Sequence, residues 1–150
     1  MNQSPSIHAS AVLVGARAVL IQGPSGSGKS RLALALLQAA AQGLIPFARL
    51  VADDRAHVTA VHGRLLVRPA EALAGLIEVR GLGIRQVPYE PLAVVGLVVE
   101  LGQTDAKRLP EPAAQRTEIA GIPLPRLAVA PGADPLPFVL SALQTTNNTG

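Results

Sequence analysis

The chain predicts an α/β fold, a mixed sheet packed against helices in a single domain, and three observations carry that prediction. Short apolar runs of strand length flank one strongly periodic helical run. Glycine and proline punctuate these segments at close intervals. Composition is the third: of 150 residues 49% are hydrophobic and 15% charged, yet aromatics are only 2%, so the core must be small aliphatic packing between sheet and helix. A chain of this length can bury one sizeable core.

The elements follow in order. "AVLVG" at 11–15 and "AVLIQ" at 18–22 read as two strands separated by Ala16 and Arg17. "KSRLALALLQAAAQ", 29–42, places Leu32, Leu36 and Leu37 with Ala33 and Ala40 at helical spacing, and Gly43 and Pro46 end it. "ARLVADD" is the next strand, and 56–68 a hairpin turning at His62 and Gly63. "AEALAG" is one helical turn or two, and "LIEVRGLGI" a strand that breaks into a glycine turn. "AVVGLVVEL" reads as a buried central strand, and 103–116 as an exposed polar loop. "IPLPRLAVAPG" is extended, "DPLPFVLSALQT" a helix capped by Asp134, and the end at 146–150 frayed. The ordered core is expected over about 8–143 of a domain spanning 1–150.

Several function classes drop out. With no cysteine there is no disulfide framework, thiolate metal site or cysteine nucleophile. The start carries no secretory pattern, and the longest apolar runs, such as "LAVVGLVV", are too short to cross a bilayer, so a soluble cytoplasmic protein without a membrane partner is expected. The net charge of +3 is spread along the chain rather than clustered, which suits phosphate ligands and argues against nucleic acid. Only Phe47, Tyr89 and Phe138 could stack on a base.

"GPSGSGKS", Gly23–Ser30, matches the phosphate-loop pattern G-x-x-x-x-G-K-[ST]. Gly23, Gly26 and Gly28, with Pro24, Ser25 and Ser27 between them, let backbone N–H groups wrap a phosphate. Lys29 supplies a point charge, Ser30 a hydroxyl for Mg²⁺, and the helix that follows its positive end. The strand before and helix after make this a P-loop-containing sheet.

"LVADD" ends a strand in two adjacent carboxylates, Asp53 and Asp54, which need a cation nearby. A strand that follows the first helix of such a unit runs parallel to the one feeding the loop, so its carboxyl end faces the same crevice. Lys29, Mg²⁺ and a triphosphate would supply the charge. Neighbours in a strand point to opposite faces, so one aspartate can address metal, directly or through water, while the other takes a proton from an attacking hydroxyl; the bland alternative is a pair of solvated turn residues. In "IEVRGLG", Glu78 and Arg80 stand two apart, on one strand face, as metal ligand and phosphate clamp or as a surface ion pair. Gly81 and Gly83 allow a partner's backbone close.

"GPSGSGKS", "LVADD" and "IEVRGLGI" together resemble the catalytic domain of the HPr kinase/phosphorylase family, over roughly 8–143. "IHASAVLV", with His8 lying 22 residues before Ser30, fits as well. The resemblance implies an ATP- and Mg²⁺-dependent protein serine kinase acting on HPr, or an HPr-like phosphocarrier of a phosphotransferase system, and able to reverse the reaction by phosphorolysis. It implies that Gly23 to Ser30 bind nucleotide and that Asp54 is the proton acceptor. Asp53 would support the metal and phosphate site, and Ser30 and Glu78 would bind Mg²⁺. The stretch from Glu78 to Gln86, with Arg80, Gly81 and Gly83, would belong to the catalytic surface. Arg108 would be the mobile-loop arginine near the transferring phosphate. A lone histidine beside an apolar strand reads as structural; the resemblance alone makes His8 a catalytic assistant. A homo-oligomer, hexameric in full-length relatives, is also implied.

Two departures stand out. The segment between Lys29 and Asp54 is longer than usual, through "AAAQGLIPFAR". In "VAPGADP", Ala133 and Asp134 take the places of basic and amide residues, which predicts a kinase with weak phosphorolysis. Two rivals remain at this level. A nucleoside-phosphate kinase of guanylate-kinase type shares the loop but lacks candidates for an acceptor-base pocket. A non-catalytic nucleotide-dependent regulator would use "LVVEL", ending at Glu100, as its second acidic strand.

Overall fold

The structure is a computed structural model and describes residues 6–145. The expected frayed end at 146–150 lies outside the described residues. Alternation of small and branched apolar residues in the first two strands, β1 (Ser6–Val14) and β2 (Arg17–Gln22), sets the layer plan. Ala9, Ala11, Ala18 and Leu20 point into one core; Val12, Val19 and Ile21 point into another on the opposite face. Helices cover only the second. There α1 (Lys29–Ala41) contributes Leu32, Ala33, Leu36 and Ala39, and α2 (Pro135–Gln144) contributes Val139.

The first core is sheet against sheet. β3 (Ala48–Ala52) and β4 (Arg55–Val61) pair with β1, β4 pairs with β5 (Arg64–Pro69), and β5 reaches β8 (Ala93–Glu100). β8 pairs in parallel with β2, which closes a ring β1–β4–β5–β8–β2. The alanines on its inner face allow the walls to approach closely. β10 (Ile122–Ala128) lies parallel to β8 and carries the edge strand β9 (Arg116–Ile119). A separate hairpin, β6 (Leu76–Val79) and β7 (Gly83–Gln86), is anchored by Ile77 in the helical core.

The mixed α/β prediction holds, and "AVVGLVVEL" is the central strand expected. β3 does run parallel to β2, with β1 between them. The hairpin turns at His62 (φ +50°) and Gly63 (φ +76°), the positive pair a two-residue type I′ turn requires. Asp134 caps α2 by accepting from the Leu136 N–H at 3.2 Å. "AEALAG" is a single 3-10 turn at Glu71–Leu73. The long segment after α1 becomes an exit loop: Leu44 N–H donates to Ala39 O and Gly43 N–H to Ala40 O, a Schellman closure.

Two strands differ from the sequence reading. "LIEVRGLGI" reverses fully, because Gly81 (φ +90°) and Gly83 (φ +94°) supply left-handed backbone and let β7 return along β6. Arg80 therefore sits in the turn beyond β6 and does not share a strand face with Glu78. β9 begins at Arg116, inside the stretch read as loop, and turns through Ala120 (φ +51°) and Gly121 (φ +80°). No helix among the described residues is long and apolar enough to cross a membrane.

Candidate functional site

Strand β2 delivers the chain to a glycine loop, 23–28, and α1 begins directly after it. Gly23 has no room for a side chain: a Cβ there would stand 2.6 Å from Ser27 Oγ and 3.0 Å from Leu101 Cβ. Gly28 caps α1 in the left-handed region (φ +102°). It offers no side-chain acceptor, and the first turn holds no acidic residue, so the helix's first N–H groups face outward without an internal anion. Lys29 Nζ folds back onto the loop, donating to Gly23 O at 2.8 Å and Pro24 O at 3.1 Å.

The residue after that lysine ties the loop to the acidic doublet. Ser30 Oγ donates to Asp53 Oδ1 at 2.6 Å, and Ser10 Oγ donates to the same oxygen at 2.8 Å. Asp53 Oδ2 accepts the Glu78 N–H at 3.1 Å. Asp53 is only 6% exposed, so three donors offset the cost of burying its charge. All three are neutral. The cation expected beside the doublet is not a side chain: Lys29 is engaged by loop carbonyls, and among the described residues neither aspartate makes an ion pair.

Asp54 lies next to this buried carboxylate and is exposed to solvent. The two are separated by a kink rather than by strand alternation. β3 and β4 pair with the same edge of β1, and the chain between them makes a tight γ-turn: Arg55 N–H donates to Asp53 O at 2.8 Å across Asp54 at φ +69°. Asp54 N–H donates to Ser10 Oγ at 3.2 Å and its carbonyl accepts the Ala9 N–H at 3.1 Å, so the strained residue is held on both sides. Ser10 thus supports both aspartates. Sequence reasoning missed it; the available signal was a hydroxyl between two alanines at the start of the apolar part of β1.

The remaining candidates are placed unequally. His8 is exposed on β1, two residues before Ser10 and opposite Arg55. Glu78 reaches Asp53 through its backbone while its side chain is exposed. Arg80, Gly81 and Gly83 form the exposed hairpin turn. Arg108 is exposed in the 101–116 loop without an ion-pair partner among the described residues. Glu100 is taken by Arg126, whose Nε donates to it at 3.1 Å, which removes it as a free second acidic group.

On its other side the glycine loop forms one wall of a cleft of about 610 Å³. Leu101, Gly102 and the 129–135 segment, which includes Asp134, line the rest of it. Arg31 is the cation in the lining, and no aromatic ring is present there. Among the described residues no cluster of three or more His, Asp or Glu is placed to hold a metal alone.

The model of the family described as HPr Serine kinase C-terminal domain matches residues 1–132. An HPr kinase/phosphorylase of Streptococcus thermophilus is 46% identical over 83 residues, 55% of this chain and 25% of its own length. The protein of the same name from Streptococcus gordonii is 36% identical over 135 residues, 83% of this chain and 41% of its own. The chain therefore spans less than half the length of these curated relatives. The solved structure of the Hpr(Ser) kinase/phosphatase from Coxiella burnetii aligns with a TM-score of 0.73 at 23% identity, covering 93% of this chain and 88% of that one. At that identity the likeness is one of fold.

Proposed function

Because this chain belongs to the HPr serine kinase C-terminal domain family, we propose that it transfers the γ-phosphoryl group of ATP to a serine of HPr or of an HPr-like phosphocarrier protein. The observation that carries the reading is the Ser30–Asp53 bond at 2.6 Å, which joins the glycine loop to the acidic doublet. A loop binding triphosphate and a carboxylate pair handling metal and proton would have to meet, and a bond between the two supports that reading.

Phosphates would lie along the N–H groups of 26–30, and Lys29 would leave its loop carbonyls to reach the terminal groups. Mg²⁺ fits the donors: Ser30 Oγ and Asp53 offer only oxygen, and a hard ion that keeps water and phosphate oxygens needs one or two such groups rather than a protein cage. When bound, it would neutralise charge on the phosphates. The acceptor serine would approach Asp54, the exposed member of the pair. Its oxygen forms a bond to the γ-phosphorus as the bond to the bridging oxygen breaks; Asp54 takes the hydroxyl proton, and ADP leaves. His8 and Arg80 lie on elements that flank the doublet and would assist, Arg80 by offsetting phosphoryl charge. The 610 Å³ cleft would take the nucleoside. Incubating the chain with labelled ATP, Mg²⁺ and a panel of HPr-type proteins should label one on serine. Transfer to small nucleoside monophosphates and to none of the proteins would reject this reading.

Reversal is expected to be weak. The cleft lining includes Ala133 and Asp134, whose carboxylate would repel inorganic phosphate where a cation would attract it. Phosphorolysis of the serine-phosphorylated carrier should therefore run well below the forward rate, and Ala133→Arg should raise it by about tenfold. Brisk pyrophosphate release by the unmodified chain would contradict this.

A further inference from the structure

Arg126 is the most heavily used cation of the molecule, and the chemistry described above leaves it idle. It sits on β10 at 11% side-chain exposure, and every nitrogen of its guanidinium is engaged. Nε donates to Glu100 Oε1 at 3.1 Å, Nη1 to Ala114 O at 2.9 Å, and Nη2 to Gln103 Oε1 at 3.3 Å; Asp105 Oδ1 lies 3.6 Å from Nη2. These partners are the end of β8 and the two ends of the 101–116 loop. One planar group therefore closes the loop at its base, which only a forked donor can do.

The loop it closes is rooted in the candidate site. Leu101 N–H donates to Gln22 O at 2.8 Å, on the strand that feeds the glycine loop, and a Cβ on Gly102 would stand 3.3 Å from Pro24 Cδ. Lys107 and Arg108 are exposed on the same loop, within an extended chain's reach of that root at roughly 3.5 Å per residue. Asp105 faces Arg126 at the base, and the two cations that follow, Lys107 and Arg108, make no ion pair among the described residues.

We infer that Arg126 is a positioning residue: by clasping both ends of the 101–116 loop it sets where Lys107 and Arg108 stand relative to the phosphates on the glycine loop. The inference rests on the phosphotransfer reading for its catalytic consequence, though the clasp itself does not. Arg126→Lys is the informative variant, because an ammonium keeps a partner for Glu100 but cannot span three directions.

In Arg126→Lys, amide exchange over 103–115 should accelerate by about tenfold or more while α1 and β8 stay unchanged. MgATP affinity should hold within about twofold as kcat for phosphoryl transfer falls about tenfold. Combined with Arg108→Ala, it should add no further loss of kcat, since both act through one loop. Unchanged exchange in the loop, equal losses of affinity and kcat, or multiplying losses in the double variant would each overturn the inference. A wild-type chain that phosphorylates no acceptor would instead sink the functional reading, and the clasp would then stand or fall on the exchange measurement alone.

Discussion

Asp54→Asn should lower phosphoryl transfer by about a thousandfold and leave MgATP binding within about twofold of the parent chain. The substitution isolates the chemistry because the backbone tolerates it. Asp54 sits at φ +69°, where a β-branched or bulky residue would be strained, but Asn enters the left-handed region as readily as Asp. The bonds that hold the turn run through backbone atoms, Asp54 N–H to Ser10 Oγ and Ala9 N–H to Asp54 O, and survive the change. Only the ability to accept a proton is lost. Steady-state transfer to the phosphocarrier and a nucleotide-binding titration, made side by side, decide the matter. Undiminished transfer would remove Asp54 as the base; a lost nucleotide signal would place it in binding instead.

Asp53→Ala should fail earlier, at both binding and stability. Asp53 is the common acceptor of Ser10, Ser30 and the Glu78 N–H. Its removal leaves the proton of the fully buried Ser10 hydroxyl and the Glu78 N–H without an acceptor, while Ser10 Oγ keeps the Asp54 N–H. Each such orphan costs about 1–3 kcal/mol. A fall in melting temperature of roughly 5–15 °C should follow for a domain of this size. Mg²⁺-dependent nucleotide affinity should disappear with it, since Ser30 loses the carboxylate beside which a metal would sit. Affinity that survives in the folded variant, measured below its melting transition, would show that the carboxylate is structural only.

The fold was legible where local chemistry was unambiguous. His62-Gly63 between alternating strands, the leucine spacing of α1 and the Asp134 cap each have a single cheap solution, and the chain adopts it. β9 was hidden because its turn uses Ala120 in the left-handed region, a residue that does not advertise that conformation, and because the polar stretch before it masks a strand of four residues. The β6–β7 hairpin was half visible: glycines marked the reversal, but the exposed return strand holds one apolar residue, Ile84, and no alternating pattern. At the site, the loop and the doublet could be read as motifs. Ser10 and the Arg126 clasp could not, since each acquires meaning only through a partner distant along the chain; "VAPGADP" was legible through the family resemblance, but its place in the lining of the cleft was not. The separation of the two aspartates was also anticipated for the wrong reason. Strand alternation would have divided them, whereas a γ-turn does.

That γ-turn, and a register shift in β3 opposite Ala11 and Val12, interrupt what is otherwise one track of chain, with β3 and β4 gripped by a single edge of β1. Inserting or deleting one residue between Ala48 and His57 would shift β3 or β4 along β1 and carry the doublet away from the Ser10 hydroxyl that holds both of its members. The track behaves like a vernier, on which residue count sets the alignment. Length can drift freely only off the track, at the exit after α1 or at the His62–Gly63 tip, so loops can grow around the site while the count within it cannot change.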